Sequence, residues 1–396
     1  MKNLSGIGIV PEPPISKQFN SINNLPNKFD YRTFLFHHFL HCRYRTQALH
    51  VDYIQNGFTF PHRLREFYDI DRYDRSAVII LKYVNSLIIV RYRDMTVFRL
   101  GVNNCFAVKR WPEPRAWTEI VATKLDVKYV QFSFDLLDPR SKDPALTSMI
   151  TEIRDTIRDY GIVIHSTFTG LAAYSFNLLM HPNPLMRYDA LDWYISAIRA
   201  TKEMGVESTG GHLAAMSWEY FIDDTKRKYI TEILLENIRL LSHAARSYGL
   251  KSILWEPMPV VREPPYTING AKILLRRANE KAGVPVKLCI DLGHSCAWKY
   301  ESKRDLDPYA WLEELGSESP VIHVQQTDGK ADRHWPFTEE YNKMGIIKPD
   351  KVLEAIERSG AEEVLLALEI IHPFEEREEK VLNDMIESVR YWKEYV

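Results

Sequence analysis

From residue 95 to the last residue, hydrophobic and polar positions repeat one theme. Short apolar runs are each followed by a segment with apolar residues at helical spacing. The runs are FRLGVN (98–103), KYVQFSF (128–134), GIVIHST (161–167), VESTGG (206–211), SILWEP (252–257), VKLCID (286–291), PVIHVQQ (320–326) and EVLLALEI (363–370). The clearest helical segments are PALTSMITEIRDTIRDYG, MRYDALDWYISAIRATKEMG, TKRKYITEILLENIRLLSHAARSYG and PDKVLEAIERSG. Period-3.6 segments alternating with near-continuous apolar runs predict parallel strands covered on both faces by helices. Glycines at 161, 205, 249, 283 and 360 are expected to be left-handed helix caps. Eight such units predict a (β/α)8 TIM barrel over residues 95–396. A doubly wound open sheet is disfavoured because no GxGxxG follows the first strand.

Residues 1–94 break the pattern. They hold only two glutamates, Glu12 and Glu66, and none of the nine tryptophans. FLFHHFLHCRYR (34–45) has neither a period of two nor one of 3.6, and SAVIILKYVNSLIIV (76–90) reads as two strands. Two readings stand side by side. One is an N-terminal extension of doubtful order, a small β-rich appendage. The other is that translation begins at Met95, the first methionine after Met1. The histidines here (His37, His38, His41, His50, His62) follow no ligand spacing, and no catalysis is expected from this part.

Composition narrows the function. The net charge of −2 over 396 residues lacks the basic excess that neutralises a phosphate backbone, which argues against a nucleic-acid partner. Cys42, Cys105, Cys289 and Cys296 form no CxxC pair and no secreted framework, so free thiols in a reducing compartment are expected. No run reaches the length of a membrane span and the N-terminus lacks a secretion signal, so the expectation is a cytoplasmic protein without a membrane partner.

In a TIM barrel, chemistry sits at the C-terminal ends of strands. Those ends carry His165, His212, Glu256, Asp291 and His294, His323 with its loop residues Asp332, Arg333 and His334, and Glu369. Of the eight histidines after Met95, only His243 lies inside a helical pattern. Taken singly, each has a plainer reading: a structural hydrogen-bonder for a glutamate, a core residue for His165, a turn for GGH, a surface charge for Arg333. Together, converging His, Asp and Glu predict an N/O site for a divalent cation, with Mn, Mg, Co or Zn all compatible. Trp255, Trp298 and Trp335 adjoin these positions and are candidates to wall the pocket or simply to pack.

These residues resemble those of the xylose-isomerase-like TIM barrels, which include sugar and sugar-phosphate isomerases and epimerases and also endonuclease IV. The resemblance covers roughly residues 98–396. In its ketose 3-epimerases it implies one divalent ion held by Glu256, Asp291, His323 and Glu369. Glu256 and Glu369 would be the proton-transfer pair, with His294 and Arg333 on substrate oxygens. His165 and His212 are further substrate-binding candidates. TGGH, WEPMP, DLGHS and HVQQTDG…DRHWPF look most like the erythrulose-phosphate epimerases. The implied substrate is a small ketose or ketose phosphate passing through an enediolate. The endonuclease IV branch implies an alternative, a zinc-dependent abasic-site phosphodiesterase. There His165, His212, Asp332 and His334 would add ligands, with Asp332 and His334 holding a second metal. KRW (109–111) is the one modest DNA-gripping candidate. Barrels of this kind often pair, so a homo-oligomer is an open expectation.

Overall fold

The structure is a computed structural model that describes the backbone of residues 78–83 and 86–91, and residues 96–295 and 302–396 in full. The chain divides into two units, Met1–Asp94 and Met95–Val396. In the first, strands β1 (Val78–Tyr83) and β2 (Ser86–Arg91) pair antiparallel, from Val78↔Arg91 to Tyr83↔Ser86. This is the two-strand reading of residues 76–90. The other expectations for the first quarter, its five histidines and the start at Met95 among them, fall outside the described residues.

The second unit is a closed barrel of eight parallel strands: β3 (Val97–Asn103), β4 (Tyr129–Ser133), β5 (Val163–Phe168), β6 (Ser208–Gly211), β7 (Ser252–Trp255), β8 (Val286–Asp291), β9 (Val321–Val324) and β10 (Glu363–Leu368). Each strand pairs with its neighbours in sequence, and β10 closes on β3 from Glu363↔Val97 to Leu368↔Val102. The (β/α)8 TIM barrel expected from the pattern is therefore present.

Strand geometry explains why the runs are apolar throughout. Successive side chains point to opposite faces of a strand. Leu254 joins Phe168, Cys289, Val321, Leu365 and Ala367 in a small interior cluster. Its neighbours Ile253 and Trp255 belong to the large cluster shared with the helices. Both faces are dry, so both need apolar residues. Trp255 thus packs in the strand–helix layer rather than walling a pocket.

The helices follow their sequence signals. Gly161, Gly249 and Gly360 end their helices in left-handed conformation. Gly283 does not cap a helix. The helix before it, Ile268–Asn279, stops four residues earlier, and Lys281 takes the positive φ. Gly283 is needed for another reason. A Cβ there would stand 2.6 Å from His243 Cα, where the loop crosses helix Asp224–Tyr248. Among the described residues no helix is long and apolar enough to cross a membrane.

Candidate metal centre

Four strands deliver one polar group each to the C-terminal mouth. Asp291 ends β8, His323 is the third residue of β9, and Glu256 and Glu369 directly follow β7 and β10. The register forces them together: Asp291 pairs with His323, and His323 with Ala367, two residues before Glu369. The ladder runs on past the strands, with Glu256 N–H donating to Gly211 O at 3.0 Å and Glu369 N–H to Val324 O at 3.0 Å. All four side chains are buried, and one ligand atom from each lies within 4.8 Å of the others. His323 Nδ1 stands 2.9 Å from Glu369 Oε2, 3.3 Å from Glu256 Oε1 and 3.8 Å from Asp291 Oδ2.

Three of these atoms, Glu256 Oε1, Asp291 Oδ2 and His323 Nδ1, have no hydrogen-bond partner although they are buried. A buried polar atom left unpaired costs roughly 1–3 kcal/mol, and more when charged. Three such atoms aimed at one point, all N or O donors, are what a divalent cation would satisfy. The donor set therefore fits a divalent ion.

Neighbouring polar groups fix how these donors point. His323 Nε2 donates to Gln131 Oε1 at 2.5 Å, which leaves Nδ1 as the lone-pair atom facing the cluster. Gln131 Oε1 also accepts from Asn103 Nδ2 at 3.0 Å, and Asn103 Nδ2 donates to Glu369 Oε1 at 3.0 Å. Phe168 packs edge-on to the His323 ring, centroids 4.7 Å apart, as a floor. Partners of this kind typically matter about 10–100-fold in metal affinity. Gln131→Leu is accordingly expected to weaken Co2+ binding about 10–100-fold, and Gln131→Glu, which keeps the acceptor, to stay closer to wild type. Isothermal titration of both variants checks this.

A second group adjoins the first. Asp291, His294 and His334 form a cluster that shares Asp291 with the four-residue set. Asp332 Oδ2 lies 3.2 Å from both His294 Nε2 and His334 Nε2. Each ring places its Nδ1 against a backbone carbonyl, Pro257 O at 2.9 Å and Glu369 O at 3.2 Å, so both Nε2 atoms face Asp332. Gln325 Nε2 ties the groups together, donating to Asp291 Oδ1 at 2.9 Å and Asp332 Oδ1 at 2.7 Å. A Cβ on Gly293 would meet the Gln325 amide at 2.3 Å, so DLGH needs its glycine. Burial disfavours charge on His334, but Asp332 and then Glu369 outweigh it and raise its pKa to about 9. In His294 burial is likewise overcome, by Asp291 and Asp332, and its pKa stands well above the usual imidazole value. The His334 backbone is left-handed, at φ 50°, which turns the ring inward.

The other expected residues surround these two clusters or lie apart from them. His165 is not at its strand end. β5 continues through Ser166, Thr167 and Phe168, and His165 sits at a register shift. It contacts Ser166 Oγ at 3.4 Å and feels the charge of Glu363, at the opposite end of β10. Neither cluster includes it. The run GIVIHST already reached Thr167, so the expected strand end at His165 fell short of its own run and of Phe168. His212 directly follows β6, is 1% exposed, and stacks on Tyr174 with centroids 5.1 Å apart. Both its ring nitrogens lack partners, and burial, with the nearby His294, pushes its pKa down to about 3. The ring is neutral beside the centre. Arg333 makes a two-point pair with Asp328, at 3.1 and 3.0 Å, and lies over the Trp335 ring, because TDG turns Asp328 back toward DRH. It too is outside both clusters. Trp335 pairs its backbone with Gln326 and packs on Tyr341, and Trp298 falls outside the described residues. In KRW, Arg110 donates to Pro373 O and Glu376 O, and Lys109 covers the Phe374 ring.

Several groups escaped sequence reasoning. Tyr174 donates to Glu256 Oε2 at 2.5 Å. Glu263, beside Arg262, His294 and Glu256, is pushed up to about 7, mainly by burial. Asn103 and Gln131 were legible as polar residues in apolar strands. Tyr174, in the short 3-10 turn Leu171–Ser175, and Glu263, in a loop, carried no signal.

Residues 121–394 match the family described as xylose isomerase-like TIM barrel. A relative from Brucella abortus (strain 2308), D-erythrulose 1-phosphate 3-epimerase, is 27% identical over 301 residues, covering 75% of this chain and 96% of its own. A solved structure from Rhodospirillum rubrum ATCC 11170, provisionally named a xylose isomerase, is 31% identical with a TM-score of 0.69, covering 76% of this chain and 99% of its own. D-psicose 3-epimerase from Clostridium cellulolyticum H10, solved with D-tagatose, shares the fold at a TM-score of 0.56 and 16% identity, covering 75% and 99%.

Proposed function

This chain belongs to the xylose isomerase-like TIM barrel family, and from that premise we propose that it is a divalent-metal-dependent 3-epimerase of a small ketose or ketose phosphate. The observation that carries the reading is the four-residue cluster with its three unpartnered buried atoms. The Brucella abortus relative supports a tetrulose phosphate as the substrate to try first.

Glu256, Asp291, His323 and Glu369 would hold the ion. When bound, it supplies Lewis acidity that makes the hydrogen next to a ketose carbonyl removable. The chain's own part is proton handling. Glu256 and Glu369 come from β7 and β10, with β8 and β9 between them, so they reach the mouth from separate directions. One carboxylate takes the proton and the other gives one back, which inverts the carbon. Asn103 holds Glu369 for this task. His294 and His334, cationic beside Asp332, would steady the substrate oxygen that gains negative charge. The buried floor at Phe168 keeps water from one side of the site.

The second reading, an abasic-site phosphodiesterase with added ions, draws on the cluster of Asp291, His294 and His334. His165 lies outside that arrangement, and KRW is engaged within its own loops. One set of assays separates the two. Purified protein with Mn2+ or Co2+ is expected to epimerise D-erythrulose 1-phosphate and exchange its C3 hydrogen with heavy water. Incision of an abasic duplex by the zinc-loaded protein, with no exchange on any ketose offered, would reverse the choice.

A further inference from the structure

One aromatic residue touches the proposed proton-transfer pair without belonging to either cluster. It is Tyr174, on the segment that links β5 to helix Pro184–Glu203. This segment crosses the mouth as a strap fixed at both ends. At the start, the Asp135 carboxylate accepts from the N–H groups of Leu171 and Ala172. At the far end, Asn177 Nδ2 donates to Ala215 O at 2.9 Å, Ala215 N–H donates to Asn177 O at 3.1 Å, and Leu178 bridges to Ala214. Between these anchors Tyr174 lies flat on His212, 21° from parallel, and its hydroxyl meets Glu256.

Resting on the epimerase reading, we propose that Tyr174 is a positioning residue for Glu256: its hydroxyl takes Oε2 and so turns Oε1 alone toward the ion. The two oxygens of Glu256 are not equivalent. Oε2 accepts from the Tyr174 hydroxyl at 2.5 Å. Oε1 has no partner and faces His323 Nδ1 at 3.3 Å. Glu256 is fully buried, so water does not compete for Oε2. A carboxylate free at both oxygens can swing to two-oxygen coordination and use up a position on the ion that substrate needs. The strap prevents this by supplying a fixed neutral donor. Asn103 plays the matching part on Glu369 Oε1. Each member of the acid–base pair is thus aimed by one neutral side chain from another strand's loop or end.

Tyr174→Phe removes only the hydroxyl and keeps the stack on His212. It is expected to weaken Co2+ binding about tenfold, as lost orienting groups do. It is also expected to change the visible absorption of the Co2+ protein, because the coordination number changes. With D-erythrulose 1-phosphate, kcat is expected to fall about 10–100-fold while KM moves less than about threefold, the split of an interaction felt in the transition state. Asp135→Asn, which loosens the strap, is expected to act in the same direction. Combined with Tyr174→Phe it is expected to add little, since both act through one contact. Tyr174→Phe with wild-type Co2+ affinity, spectrum and kcat overturns the proposal while leaving the epimerase reading intact. A wild-type protein that takes up no Co2+ overturns that reading and this inference with it.

Discussion

Glu369→Gln and Glu256→Gln are each expected to lower the rate of C3 hydrogen exchange by about 100- to 10,000-fold, the usual worth of a positioned acid or base. Glutamine keeps the shape and one oxygen donor but cannot carry the proton. The two variants are expected to differ in kind. In an epimerase each acid serves one face, so loss of one blocks inversion while leaving partial exchange of the hydrogen the other can reach. Following solvent deuterium into each epimer by NMR separates these outcomes. Full exchange in both variants would refute a two-carboxylate mechanism. Both variants also shed one ligand charge, so Co2+ content is measured alongside and activity compared at saturating ion.

Removing the ion is expected to have the second large effect, seen in the sign of the pH dependence. In ion-free protein His334 has its pKa raised to about 9, and His323 and His294 stand well above the usual imidazole value. For His323, burial opposes the charge, but the acidic neighbours Cys289, Glu369 and Glu256 prevail. A group whose folded pKa is raised stabilises the fold fully below its unfolded value, near 6.5, and loses that contribution as pH climbs through the folded value. Chelated protein is therefore expected to melt at lower temperature as pH rises from about 6.5 to about 9. A bound ion needs His323 Nδ1 unprotonated, so the stabilisation it adds grows as pH rises through the range in which that ring would otherwise be charged. At 100 times the dissociation constant a ligand adds about 2.7 kcal/mol, or roughly 5 °C for a unit of this size. Melting curves with chelator and with Mn2+ at both pH values would show the gap widening toward alkaline pH. A gap that narrows would place the ion away from His323.

The barrel could be read from the chain because a strand dry on both faces leaves a plain mark. In VKLCID and EVLLALEI apolar residues run up to the final acid, with Lys287 the one interruption, so Asp291 and Glu369 could be placed at strand ends. Glu256 and His323 followed by the same reasoning, and the structure brings all four together. Where the last strand residues are small and polar, the mark fades. In VIHSTF, the strand end was placed at His165 although the run itself extended to Thr167, and the strand goes on to Phe168. Arg333 marks a different limit. Its residue type and spacing suited a substrate contact, but pairing with Asp328 depends on how the TDG turn folds back, which spacing does not encode. Tyr174 was out of reach. Its role comes from a strap pinned by Asp135 and Ala215, 39 and 41 positions away in the chain, and an alternating pattern says nothing of such anchors.

The pairing of β10 with β3 sets the time at which the centre can first exist. Glu256, Asp291 and His323 leave the ribosome well before Glu369, and the seam joins residues more than 260 positions apart, Arg99 to Glu363 at its edge. Without the final strand the barrel cannot close, and its acidic rim lacks its last member. A site of this composition would thus be complete only once the last strand has joined, and without an ion its carboxylates would have the raised-pKa histidines as their counter-charges.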